Sequence, residues 1–240
     1  MSVTDVLPRQ YPFTYEEGDH HIGVWAIQHA VGATRDGAFG PQTLATVQDF
    51  QDRHGLVPDG VVGAKTMEQL VRSQCAGAYR THAVPPGSLE SVSKGEAGWN
   101  VGAVNWASPG GVDVGAFQRR VYEPHTREAI ERALRVNYQA RLLAGRLRER
   151  KDAFYARGFL SHERGWRCAV LAHNWPYGAD RISRGFELSD RVAEWVPGTL
   201  TFDDGARVVT YKDWADWYSM GSSQHNHDGK MVSLVSGWPR

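Results

Sequence analysis

Hydrophobic residues recur at helical spacing in three short stretches near the N-terminus. Val24, Ile27 and Val31 fall on one face of a stretch spanning roughly residues 22–31. Leu44, Val47 and Phe50 do the same after Pro41, whose fixed φ suits the first helical position. Met67 and Leu70 mark the third stretch. The segment Asp36-Gly37-Ala38-Phe39-Gly40-Pro41-Gln42-Thr43 returns as Asp59-Gly60-Val61-Val62-Gly63-Ala64-Lys65-Thr66, twenty-three residues on. Each copy sets an Asp-Gly turn ahead of a helix. The pattern predicts a three-helix bundle within residues 1–74.

Periodicity fades over residues 72–88, which close on Pro85-Pro86-Gly87. A semi-stiff linker is expected at 75–87, followed by a second domain over 88–240. Ser88 is the expected N-cap of a helix carrying Glu90 and Glu96. Residues 126–157 read as one long helical region, with Ile130, Leu134, Tyr138 and Leu142 every four residues and Ala133, Ala140 and Ala144 beside them. Its arginines (Arg127, Arg132, Arg135, Arg141, Arg146 and Arg148) suit a solvated face, with contact to an anionic polymer as the other use. Trp166–Asn174 reads as a buried helix. Asp203-Asp204-Gly205 predicts a hairpin within 199–213, and a last helix is expected around 211–218. The fold class is therefore mainly α: an N-terminal three-helix bundle and an α+β domain with a small β-hairpin.

At 240 residues the chain suits one large domain or two small ones. Lys plus Arg is 27 and Asp plus Glu is 27, so no global charge steers it toward nucleic acid or anionic lipid. Cys75 and Cys168 stand far apart, which indicates no disulfide framework. The first residues, MSVTDVLPRQYPFTYEEGDHH, lack a basic start followed by an apolar run, so no secretory signal is expected. No stretch approaches the ~20 apolar residues of a membrane helix.

Glu96 and Asp113 lie seventeen residues apart in EAGWNVGAVNWASPGGVDVGAFQ. Glycoside hydrolysis needs two carboxyl groups in different surroundings, one protonated and one ionised. Glu96 has Ala97, Gly98 and Trp99 beside it, an apolar setting that favours the protonated form. Asp113 follows Pro109-Gly110-Gly111, where a turn would leave it in solvent and charged. Glu90, in Glu90-Ser91, is the rival acid, but Val92-Ser93-Lys94 lacks the aromatic-Asn pair that Trp99-Asn100 supplies after Glu96. Ten histidines raise the possibility of a metal peptidase or amidase, yet there is no His-Glu-x-x-His, and His225 and His227 sit in a Gly/Ser-flanked loop. Cys168 lies in an apolar run, a poor setting for a reactive thiolate. No metal and no cofactor is expected.

The segment from Glu96 to Gln118 resembles the active-site region of lysozymes and lytic transglycosylases. Both families carry a Glu-Ser-x-aromatic-Asn segment. In c-type lysozymes Asp-x-Gly-x-x-Gln follows on a β-hairpin at the same separation, and in transglycosylases Gly-Leu-Met-Gln follows. Here Ala97 replaces the Ser, and Ala116-Phe117 replaces the usual apolar pair. The resemblance implies a lysozyme-like domain that cuts the β-1,4 bond between N-acetylmuramic acid and N-acetylglucosamine. It makes Glu96 the general acid and Asp113 the nucleophile or charge stabiliser. Trp99, Gln118, Asn174, Trp175 and Tyr177 become sugar-site residues. Gln118 also suits a role in holding the hairpin backbone, and Asn174, Trp175 and Tyr177 equally suit a helix end and turn.

Residues 36–70 closely resemble the peptidoglycan-binding module found at the ends of many wall hydrolases. That likeness implies peptidoglycan as the partner of a monomer, with no nucleic acid and no membrane insertion. A wall-degrading enzyme with no export signal fits a bacteriophage endolysin, held in the host cytoplasm until a holin releases it to the cell wall. A lytic transglycosylase, or a non-catalytic wall-binding virion component, are the other functions that this sequence allows.

Overall fold

A computed structural model describes residues 12–106, 111–122 and 125–155, together with 166, 169, 170, 172 and 173. Among the described residues the chain is mainly helical, with one small antiparallel sheet. Helix α1 spans Ile22–Val31. It begins where the His21 ring accepts from the Gly23 amide at 2.9 Å, and it stops at Gly32, which adopts φ +85°. Val24 and Ile27 are fully buried as the spacing predicts, whereas Val31 is only half-buried. Helix α2, Pro41–Arg53, opens on the proline and buries Val47 and Phe50. Helix α3, Ala64–His82, buries Met67, Leu70, Val71 and Cys75.

The two Asp-Gly turns are built alike. Gly37 and Gly60 hold φ +79° and +78°, a conformation that glycine tolerates without steric cost. Asp36 Oδ1 accepts from the Ala38 amide at 2.9 Å, and Asp59 Oδ1 accepts from the Val61 amide at 2.9 Å. Tyr15 pairs with Val62 through both backbone groups, which ties the extended segment ahead of α1 to the second turn.

Residues 75–82, expected in a linker, continue α3. Their polar surface hid a helix whose buried side is made by Cys75 and Ala78. Helix α4 is Ser88–Ala97. Ser88 lies inside its first turn rather than capping it, and its hydroxyl donates to the Pro85 carbonyl at 2.7 Å. Strands β1 (Val104–Asn105), β2 (Gly111–Val114) and β3 (Arg119–Tyr122) form the sheet in that order, with Val114 opposite Arg119 and Asp113 opposite Arg120.

The region expected as one helix over 126–157 is two. Helix α5, Arg127–Leu134, starts at Thr126, whose side chain accepts from the Ala129 amide. Arg135 breaks the run with φ −67° and ψ 110°, and α6 follows as Val136–Tyr155. The break rotates the apolar stripe. Ile130 and Leu134 are buried, but beyond the break Gln139, Ala140, Leu143, Ala144 and Leu147 take the inner face, while Tyr138 and Leu142 are half-exposed. Among residues 166–173, Trp166, Ala169, Val170 and Ala172 are helical and buried. The hairpin expected at 199–213 and the helix expected at 211–218 lie outside the described residues.

The chain divides into two compact units. One joins Met1–Ala78 with Glu96–Leu142, and the other joins Tyr79–Gly95 with Leu143–Arg240. Each passage of the chain from one unit to the other falls within a helix: α3, α4 and α6 in turn.

Candidate functional site

Glu96 lies one residue before the end of α4 and is half-exposed, with Ala97 and Trp99 buried next to it. Glu90, the rival, is only 5 % exposed and faces the interior, where a polymer chain could not reach it. After Ala97 the backbone turns left-handed twice, at Gly98 (φ +56°) and Trp99 (φ +74°). For a tryptophan this conformation is costly and needs support from its surroundings. Asn100, 2 % exposed, supplies part of it. Its amide donates to Ala97 O at 3.0 Å, its Oδ1 accepts from the Gly102 amide at 2.9 Å, and its Nδ2 donates to Pro12 O at 2.9 Å.

Trp99 does not present an open face to a sugar. It is 7 % exposed, and the Arg72 guanidinium lies 5.8 Å from its ring centroid. Of the residues expected at a sugar site, Trp99 is thus a buried ring beside a cation.

Asp113 sits within β2 and not in a solvated turn. It is 8 % exposed, and Arg120 from the facing strand meets both carboxylate oxygens, Nε to Oδ1 and Nη2 to Oδ2, each at 2.9 Å. An ion pair therefore stands where solvent was expected. The hydrogen bond and then the charge of Asp113 raise the Arg120 guanidinium above its usual pKa.

The rest of Asp-x-Gly-x-x-Gln forms the turn between β2 and β3. Gly115 adopts φ +76°, and Gln118, at φ +45°, donates from both its amide and its side chain to Gly115 O, at 3.1 and 3.0 Å. That is the backbone-holding role considered for Gln118. The buried Gln139 of α6 grips the same turn. Its Oε1 accepts from the Phe117 amide at 2.8 Å, and its Nε2 donates to Val114 O and Ala133 O. A Cβ at position 115 would run into the Gln139 side chain, so the glycine is required. Asn174, Trp175 and Tyr177 lie outside the described residues, as do Cys168, His225 and His227.

The repeat holds a second, purely structural constellation. Gln28 Nε2 donates to Asp36 Oδ1, Ala38 O and Thr43 Oγ1 at 2.7, 3.0 and 2.9 Å, and its Oε1 accepts from the Gly37 amide at 2.9 Å. Gln51 repeats this with Asp59, Val61, Thr66 and Gly60 at 2.9, 2.9, 3.2 and 2.8 Å. The Ala38 amide and then Gln28 hold the Asp36 carboxyl below its usual range. Sequence alone missed both glutamines, although they keep the same twenty-three-residue spacing. It also missed Arg120, whose signal is its place as far from the centre of the turn as Asp113.

The family described as "Putative peptidoglycan binding domain" matches residues 27–70. A protein of Kitasatospora aureofaciens, named "Uncharacterized protein in bpoA1 3'region", is 55 % identical over 40 residues. Those residues are 17 % of this chain and about a third (34 %) of that protein. Among the described residues no helix is long and apolar enough to cross a membrane. The matched segment coincides with the two glutamine-locked turns and the helices around them, and it supports a peptidoglycan-binding module with peptidoglycan as its partner.

Proposed function

We propose that the protein cleaves the β-1,4 bond between N-acetylmuramic acid and N-acetylglucosamine, with Glu96 as the general acid. The observation that carries this reading is a half-exposed glutamate at the end of α4, followed by a left-handed Gly98-Trp99 turn. It belongs to the same compact unit as the peptidoglycan-binding module. The proposed architecture is a three-helix binding bundle with a lysozyme-like domain, and the proposed setting is a phage endolysin acting on the host wall. Glu96 would protonate the glycosidic oxygen as the bond breaks and oxocarbenium character develops on the muramic sugar.

Two routes complete the reaction. In hydrolysis, Asp113 stabilises or captures the sugar cation and water finishes the step. In the transglycosylase route, Glu96 turns from acid to base and the muramyl 6-hydroxyl attacks. The clamp of Arg120 on both Asp113 oxygens favours the second, because it offsets part of the negative charge that would stabilise the sugar cation. Mass spectrometry of digested peptidoglycan tests both. Reducing muramic ends mean hydrolysis, 1,6-anhydro ends mean transglycosylation, and no release of either leaves only a wall-binding role.

A further inference from the structure

Three separate parts of the N-terminal region converge on residues 99–102, immediately downstream of Glu96. From α3, Arg72 lies over the Trp99 ring at 5.8 Å, within the range of an attractive cation–π contact. Glu68 orients that guanidinium, accepting from Nε and Nη2 at 2.9 and 2.7 Å. From the extended segment ahead of α1, Pro12 O accepts from Asn100 Nδ2 at 2.9 Å. From α1, Gly23 comes so near Gly102 that a Cβ on Gly102 would lie 2.6 Å from the Gly23 Cα. The fully buried Tyr15 ring closes over both glycines. All of these residues belong to one compact unit.

These contacts have no evident part in gripping a polymer outside the protein, since Tyr15, Trp99 and Asn100 are buried. Their common effect is on a backbone that would not hold itself. Trp99 occupies a left-handed conformation that a tryptophan abandons unless its neighbours enforce it. Except for Glu68, these residues flank the matched segment 27–70 on either side.

We propose that the peptidoglycan-binding region is also a positioning element for the Glu96 turn, with Arg72 as its principal positioning residue. The proposal rests on the reading of Glu96 as the acid, and it assigns Arg72 to catalysis through Trp99 and not to contact with the wall. Loss of the Arg72 contact should let the turn open and misplace Glu96 without loosening the Asp-Gly repeat.

The test uses the full chain with Arg72→Ala and Arg72→Lys, since this partly exposed side chain can be changed without opening the core. Hydrogen exchange is followed at the amides of Asn100, Gly102 and Ala103, with those of Gly37 and Gly60 as an internal reference. Turnover of soluble glycan fragments and co-sedimentation with purified walls are measured in parallel. In Arg72→Ala the turn amides should exchange about tenfold faster while the reference amides stay unchanged. kcat should fall roughly ten- to hundredfold with KM and co-sedimentation intact. Arg72→Lys, which keeps the cation, should restore part of both. Unchanged exchange at the turn overturns the proposal. So does loss of co-sedimentation with kcat preserved, which would place Arg72 on the wall instead. If the wild-type chain shows no turnover, the muramidase reading fails by itself, and hydrogen exchange still decides the positioning role.

Discussion

Arg120 faces Asp113 directly across the β2–β3 ladder and holds both of its carboxylate oxygens at 2.9 Å. The carboxylate is nearly buried, while the arginine is 39 % exposed at its side chain. Removing the arginine therefore strands a charge in the protein, whereas removing the carboxylate leaves a guanidinium that water can reach. Arg120→Leu should destabilise the chain by roughly 1–3 kcal/mol, and Asp113→Asn by less. A double-mutant cycle in urea should show coupling between the two. Strict additivity would mean that the pair contributes nothing.

Glu96→Gln should lower the release of sugar ends by roughly 10²–10⁴-fold, since the amide keeps the shape but has no proton to give. Its melting temperature should stay near that of the wild type, because Glu96 is half-exposed. Glu90→Gln, deep in the interior, should act mainly on stability. Should Glu90→Gln abolish turnover in a fully folded chain while Glu96→Gln does not, the acid is Glu90.

Asp113→Asn separates the two chemical routes. Under hydrolysis by paired carboxylates the loss of turnover should be large. Under transglycosylation it should be small, and 1,6-anhydro ends should persist in the mass spectrum of the digest.

Gln51→Ala should cost roughly 1–3 kcal/mol, because it leaves the Gly60 amide and Thr66 without their buried partner. Gln28→Ala should behave alike at the first turn. Thermal melts of each variant check this. Co-sedimentation with walls should decline only as the module unfolds. Wild-type melting in both would mean that the turns do not depend on the glutamines.

Acid should weaken this region. Burial holds the pKa of His21 and His29 below the ordinary value, and for His29 the positive charges of Arg135 and then Arg35 add to the effect. The unfolded chain then binds more protons than the folded one, so stability is complete above about pH 6.5 and declines as pH falls below it. Denaturation between pH 5 and 7.5 should show this slope, and His29→Gln should flatten it. A slope of the opposite sign would contradict the burial of these rings.

The sequence revealed what depends on local chemistry. Pro41, the Asp-Gly pairs and the spacing of Val47, Phe50, Met67 and Leu70 place helices and turns with little help from the rest of the chain. The hairpin around Gly115 was expected only through the resemblance to lysozymes. What stayed hidden depends on partners distant in sequence. Nothing near Trp99 in the sequence announces Arg72 over its ring, twenty-seven residues away. Asp113 reads as solvated until Arg120 is known to face it. Gln139 carries no local mark of its grip on a turn more than twenty residues earlier. Residues 75–82 looked irregular because small and polar side chains mask a helix that is buried on one side only.

Helix α3 runs unbroken from Ala64 to His82, past the end of the matched domain at residue 70. A binding part can be exchanged as a cassette only where a loop offers a place to join it. This chain offers no such seam near residue 75. A splice there would sever a helix and strip Arg72 and Tyr15 from the turn that they support. An exchanged module would have to preserve that inner surface and change only its solvent-facing side. The unit of exchange is a surface, not a segment.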